Sequence, residues 1–144
     1  EEDWKEDRSA GAAALLRTGG DITLVGYGNF VQTLLETARL LSRKGIEAEV
    51  VKLNTITPID VECIKDSVKK TGRLLVAEDC VDMNCVGRRV ILSLASAGVC
   101  PRAFDLRNIG SGFVTHGSVS QLRKLCGLDA GSLCARAVEV CARG

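Results

Sequence analysis

Aromatic side chains are scarce in this 144-residue chain: Trp4, Tyr27, Phe30, Phe104 and Phe113 are the full set. Single-stranded nucleic acid is usually gripped by a basic groove carrying aromatic stacking platforms. Basic charge is not in excess either, because 19 Lys and Arg nearly match 18 Asp and Glu, for a formal net charge of +1. The sequence therefore predicts no nucleic-acid partner. No apolar run approaches the roughly 20 residues that cross a bilayer, so no membrane partner is expected.

Metal and redox signatures are missing as well. His116 is the single histidine, with no Cys or His at ligand spacing. Cys63, Cys80, Cys85, Cys100, Cys126, Cys134 and Cys141 form no C-x-x-C pair. Metal sites and dithiol centres need such spacings, so no metal ligand is assigned. An odd number of cysteines fits a disulfide framework poorly, and free thiols point to a reducing, cytoplasmic compartment. Cys134 and Cys141 share a helix face with Leu133, Ala137 and Val138, where a thiol acts as a small hydrophobe. The opening "EEDWKEDR" is the reverse of a secretory signal's apolar stretch. Residues 1–12 are read as a charged linker or leader and residues 13–144 as one domain.

What is present is a regular alternation of strand and helix signals. Hydrophobic residues make up 46% of the chain and charged residues 26%, enough for one sizeable core. "AAALLRTG" predicts a short strand or turn, and "ITLVG" at 22–26 a buried strand. Val31, Leu34, Leu35, Ala38 and Leu41 follow helical spacing, with Gly45 placed for a left-handed cap. "EAEVVKL" at 47–53 is the next strand. "TPID" opens a helix with Pro58 near its first turn, Ile64 and Val68 inside, and Gly72 closing it. "RLLVAED" at 73–79 is a third strand with an acidic end. Val86, Val90, Ile91 and Leu94 mark a helix ending near Gly98, and "AFDLRNIG" at 103–110 a fourth strand. Two short helices are expected to follow, "SVSQLRKLCG" capped by Ser118 and "DAGSLCARAVEVCAR" from Asp129. Such alternation predicts βαβ units with right-handed crossovers and a mostly parallel sheet.

"GYGNFV" at 26–31 resembles the start of a phosphate-binding loop. A dinucleotide fingerprint needs a third glycine, where Val31 stands, and an acidic residue about 20 positions on, where Leu53 and Asn54 stand. No Gly-Lys-Ser/Thr loop occurs. The turn is therefore read as structural, and no cofactor-binding residue is assigned. No nucleophile, base and acid can be assembled around His116, so no catalytic residue is assigned. Glu78 and Asp79 lie at a strand's C-terminal end, the edge where open α/β sheets place ligands, yet capping or solvation is the commoner role there. Glu78, Asp79, His116 and Gly117 are kept as possible interface or strand-end residues.

Taken together, "GGDITLVGYGNFVQTLLETARLL", "GIEAEVVKLNTITPID", "TGRLLVAED" and "NIGSGFVTHGSVSQLRKLCGLDAGSL" resemble the C-terminal domain of the transketolase family. The resemblance covers about residues 13–142, and it rests on the order and spacing of these segments. The tail, with "NIG", "HGS" and "GLDA" in turn, is most similar to the deoxyxylulose phosphate synthase branch. The resemblance implies a three-layer α/β/α fold with a mixed sheet of about five strands, in which "AAALLRTG" is an antiparallel edge strand. It also implies a longer enzyme, whose thiamine diphosphate and Mg lie in domains upstream of this one. Pyruvate loses carbon dioxide there and the remaining carbanion adds to an aldose phosphate, toward isoprenoid and thiamine synthesis. The family's C-terminal domain packs on those neighbours, in its own polypeptide or a partner subunit, and helps build a homodimer. The isolated chain is expected to be inactive. The glycine-rich turn that follows the acidic pair in the family is reduced here to Gly87.

Overall fold

A computed structural model describes residues 13–56, 59–79, 85–108 and 126–144. Five strands form one sheet: β1 (Ala13–Arg17), β2 (Ile22–Tyr27), β3 (Ala48–Leu53), β4 (Arg73–Ala77) and β5 (Ala103–Arg107). Their order is β1-β3-β2-β4-β5, with β1 antiparallel to β3 and every other pair parallel. The mixed sheet with one antiparallel edge strand is the arrangement the family resemblance implied.

Among the described residues four helices cover it: α1 (Val31–Ser42), α2 (Val61–Thr71), α3 (Val86–Ser96) and α4 (Ala130–Arg143). Leu34, Ala38 and Leu41 of α1 share a core with Leu133, Cys134, Ala137 and Val140 of α4 and with Leu24, Val50 and Leu75 of the sheet. On the other face, Ile64 and Val68 of α2 and Val86, Val90 and Leu94 of α3 pack against Val25, Val51 and Val76. Alternate residues of β2, β3 and β4 thus feed opposite cores, as expected for strands buried on both faces. The result is three layers, α/β/α.

Helix ends follow local chemistry. Ile46 N–H donates to Leu41 O at 3.0 Å past the end of α1, with Gly45 at φ +79° allowing the reversal. Gly72 ends α2 in the same left-handed way. The start of α2 differs from expectation: the helix begins at Val61, and Asp60 is its cap, accepting from Cys63 N–H at 3.3 Å. The cap is thus the last residue of "TPID", whose short carboxylate reaches the third amide of the helix. Pro58 lies outside the described residues. The helix expected from Asp129 is found over Ala130–Arg143, capped by the Asp129 carboxylate on Ser132 N–H. The helix expected from Ser118 lies outside the described residues.

A polar seam runs beneath α2 near the N-terminal ends of the parallel strands. Thr23 Oγ1 meets Ser67 Oγ at 2.7 Å and Thr71 Oγ1 at 2.8 Å, all three residues being buried. Beside them Glu49, 3% exposed, accepts from Gly19 N–H at 3.2 Å and pairs with Lys70. Burial would raise the Glu49 pKa, but the bonds from Lys70, Gly19 and Ser67 hold it below the ordinary carboxylate value.

Candidate functional site

The C-terminal ends of β2 and β4 are adjacent in the sheet, while the helices that follow them, α1 and α3, lie on opposite faces. Ligands of open α/β sheets bind at such a switch point. At β2 the chain leaves through Tyr27 into a 3-10 turn, Gly28–Phe30, in which Gly28 has φ +61°. That turn buries Phe30 in the α1/α4 core and delivers Val31, 2% exposed, as the first residue of α1.

Gly26 and Gly28 therefore have distinct structural tasks. A Cβ on Gly26 would stand 2.5 Å from Leu34 Cδ1, so this glycine lets α1 lie close against β2. Gly28 supplies the positive φ of the turn. The close helix–strand contact is made at Gly26, on the strand, and not at Val31, where the dinucleotide fingerprint would place a glycine.

At β4 the chain continues into Glu78, whose N–H donates to Arg107 O at 2.9 Å and prolongs the pairing with β5. Its side chain is 2% exposed. One carboxylate oxygen accepts from Val86 N–H at 2.8 Å and from the Tyr27 hydroxyl at 3.3 Å. The other accepts from Gly87 N–H at 2.6 Å. The residue at the N-cap position of α3, Cys85, makes no side-chain capping bond. Glu78 supplies that cap across the fold, placing negative charge at the helix's positive end. Gly87 is needed at close quarters, because a Cβ there would come within 3.2 Å of Glu78 Oε2 and 3.1 Å of Leu106 Cδ2.

Gly87 is thus the residue that admits the carboxylate. Asp79, the second acid, is exposed. The other two residues singled out from sequence, His116 and Gly117, lie outside the described residues. So the structure joins Glu78 to Tyr27, Val86 and Gly87, none of which the sequence suggested as its partner.

A second charged cluster, which sequence reasoning missed, ties β5 to α4. Asp105 Oδ2 accepts from Arg107 Nε at 2.8 Å and from Arg136 Nε at 2.9 Å. Burial would raise the Asp105 pKa, but the two guanidinium groups hold it below its ordinary value. Alternation of Asp105 and Arg107 along one strand face was the available signal.

This edge is organised to hold elements together. Glu78 spends its carboxylate on the first turn of α3, the place where a phosphate would otherwise meet backbone N–H groups. Among the described residues no three His, Cys, Asp or Glu side chains stand close enough to share a metal ion. Among the described residues the donors at this edge do not fit thiamine diphosphate with Mg.

Comparisons with known proteins agree with this architecture. Residues 11–133 match the family described as "Transketolase, C-terminal domain". The chain is 36% identical over 118 residues to a 1-deoxy-D-xylulose-5-phosphate synthase of Desulforudis audaxviator, covering 82% of this chain and 19% of that protein. It is 34% identical over 119 residues to the mitochondrial pyruvate dehydrogenase E1 component subunit beta of Dictyostelium discoideum, covering 83% of this chain and 29% of that one. Among solved structures, a split-gene transketolase described as an inactive β4 tetramer superposes with a TM-score of 0.78 at 28% identity, over 90% of this chain and 42% of that one. The chain thus spans less than a third of these curated relatives, and its match to them runs through nearly the whole described fold. It belongs to the transketolase C-terminal domain family.

Proposed function

We propose that this chain is the C-terminal domain of a thiamine diphosphate-dependent enzyme, and specifically of a 1-deoxy-D-xylulose-5-phosphate synthase. The observation that carries the reading is the family match over residues 11–133, joined to a site whose central carboxylate is committed to structure. The whole enzyme condenses pyruvate with glyceraldehyde 3-phosphate and releases carbon dioxide, using a cofactor and Mg held by upstream domains. This domain contributes packing and assembly, in its own polypeptide or beside a partner subunit, and is silent alone. The synthase is favoured by the order of "NIG", "HGS" and "GLDA" in the tail and by the 36% identity to a synthase. Free thiols at Cys63, Cys85, Cys100, Cys126, Cys134 and Cys141 support a cytoplasmic setting.

A second reading, a 2-oxo-acid dehydrogenase β-subunit, is favoured by the 34% identity to the Dictyostelium subunit. A transketolase or a free-standing α/β binding module is the remaining alternative. The deciding experiment purifies the native protein from its source with antibody to this chain, sizes it, and assays it with thiamine diphosphate and Mg. A polypeptide of several hundred residues forming deoxyxylulose phosphate from pyruvate and glyceraldehyde 3-phosphate supports the synthase. Oxidative decarboxylation of a 2-oxo acid with a partner subunit would select the dehydrogenase. A native band near the 15.3 kDa of this chain would favour the free-standing module. Calorimetric titration of the isolated chain with cofactor and Mg should show no micromolar binding.

A further inference from the structure

Of the two edge strands, β1 is held more lightly along its length than β5. None of its five residues is buried, whereas β2, β3 and β4 are buried almost throughout. It pairs with β3 alone, and its ladder shifts register between Leu15 and Arg17. Ala13, Ala14, Leu15 and Leu16 have no side chain that can hydrogen-bond, and Leu15 is 50% exposed. At β5, by contrast, Asp105 takes Arg136 of α4, and the Arg107 carbonyl takes Glu78 N–H beyond β4.

The side-chain ties of β1 gather at its end. Arg17 pairs with Glu47 at 3.1 Å, and its Nε is buried with no acceptor in reach. Gly19 N–H donates at 3.2 Å to buried Glu49, which Lys70 of α2 also holds. Gly19 is seated on backbone, since a Cβ there would lie 2.4 Å from the carbonyl carbon of Ala48 and 2.5 Å from Glu47 O. The next residue, Gly20, has open space around its Cβ position. Asp21 is fixed again: its N–H donates to Glu47 O at 2.9 Å, and its carboxylate accepts from Glu47 N–H at 2.7 Å. A seated glycine, an unobstructed glycine and a fixed residue in succession make a latch at Gly19 and a hinge at Gly20. From this arrangement we propose that β1 and Gly19 form a strap that swings about Gly20 as one unit while both cores stay closed, with the Glu49 carboxylate as its latch. Opening withdraws Leu16 from the α1/α4 core and Ala13 from the α2/α3 core, both only partly buried. It also brings the stranded Arg17 Nε to water, which offsets part of the cost. While the strap is open, the outer edge of β3 presents unpaired backbone groups that accept a strand.

This device goes beyond the proposed function, and its test reads the same whichever enzyme the domain serves. Native-state hydrogen exchange of the chain, followed by NMR in low urea, separates local from global opening. The β1 amides bonded to β3 should share one protection factor with Gly19, about 100-fold below those of Leu24, Val25 and Leu75. Its urea dependence should be shallow, because the strap uncovers little surface. Glu49→Ala should lower the shared value by about 10-fold, since it removes a charged acceptor. Glu49→Gln, which keeps an acceptor, should give a smaller drop of the same sign. Asp105→Asn, at the opposite edge, should lower protection in the core strands and leave that of β1 unchanged. Circular dichroism confirms that the variants fold. Amides of β1 as slow as those of Leu24 and Leu75 overturn the strap, because β1 then opens only with the whole fold. Protection graded from Ala13 to Arg17 overturns it too, as that is fraying. A β1 value untouched by both Glu49 substitutions, or lowered equally by Asp105→Asn, overturns the latch.

Discussion

The carboxylate of Glu78 satisfies two backbone N–H groups in the first turn of α3, at Val86 and Gly87, that have no acceptor within the helix. Glu78→Ala leaves both buried without a partner and should cost about 2–4 kcal/mol, read from the urea midpoint. Tyr27→Phe removes the 3.3 Å bond to Glu78 and should cost about 0.5–1 kcal/mol. Glu49 and Asp105 link stability to pH. Both carboxyl groups are held below their ordinary values in the folded chain. Their contribution is therefore present above the unfolded pKa of about 4 and is lost as pH falls through the lower folded values. Urea midpoints measured from pH 7 to pH 3 should fall in the wild type and fall less steeply in Glu49→Gln. None of these partnerships can be read along the chain. Tyr27 is 51 residues from Glu78, and Lys70 reaches Glu49 only because α2 crosses back over the sheet.

Elements were more legible than their joints. The apolar spacing of α1 and the glycines that end α1 and α2 operate within a few residues, so pattern alone places them. Starts were harder, because a cap is one polar side chain among several candidates: Asp60 rather than the Pro58 turn begins α2. The final helix runs over the stretch the sequence marked, with Asp129 holding the first turn in which Gly131 stands. Glycines also separate two kinds of close approach. A Cβ on Gly19 would lie 2.4 Å from the backbone carbon of Ala48, whereas one on Gly26 meets the movable end of Leu34. Gly19→Ala should therefore destabilise the chain more than Gly26→Ala, for which about 1–3 kcal/mol is expected by thermal melting.

At the scale of the molecule, two cores on opposite faces of one sheet share β2, β3 and β4, so neither can be lost alone. Site-resolved thiol labelling should show this. Cys100, exposed after α3, should react first, while Cys85 and Cys134, one in each half of the fold and both buried, should react together on unfolding. Separate labelling of the two would mean that the layers open independently. The layered architecture was legible through family resemblance more than through physics, since an antiparallel β1 leaves no mark in composition. That reversed strand has a mechanical consequence. Ala13 pairs with Leu53 at one end of the sheet, whereas Gly144 accepts a bond from Arg73 at the other. Tension applied between these two points runs along the strands and loads the β1–β3 ladder in shear, so its hydrogen bonds must yield together instead of one after another.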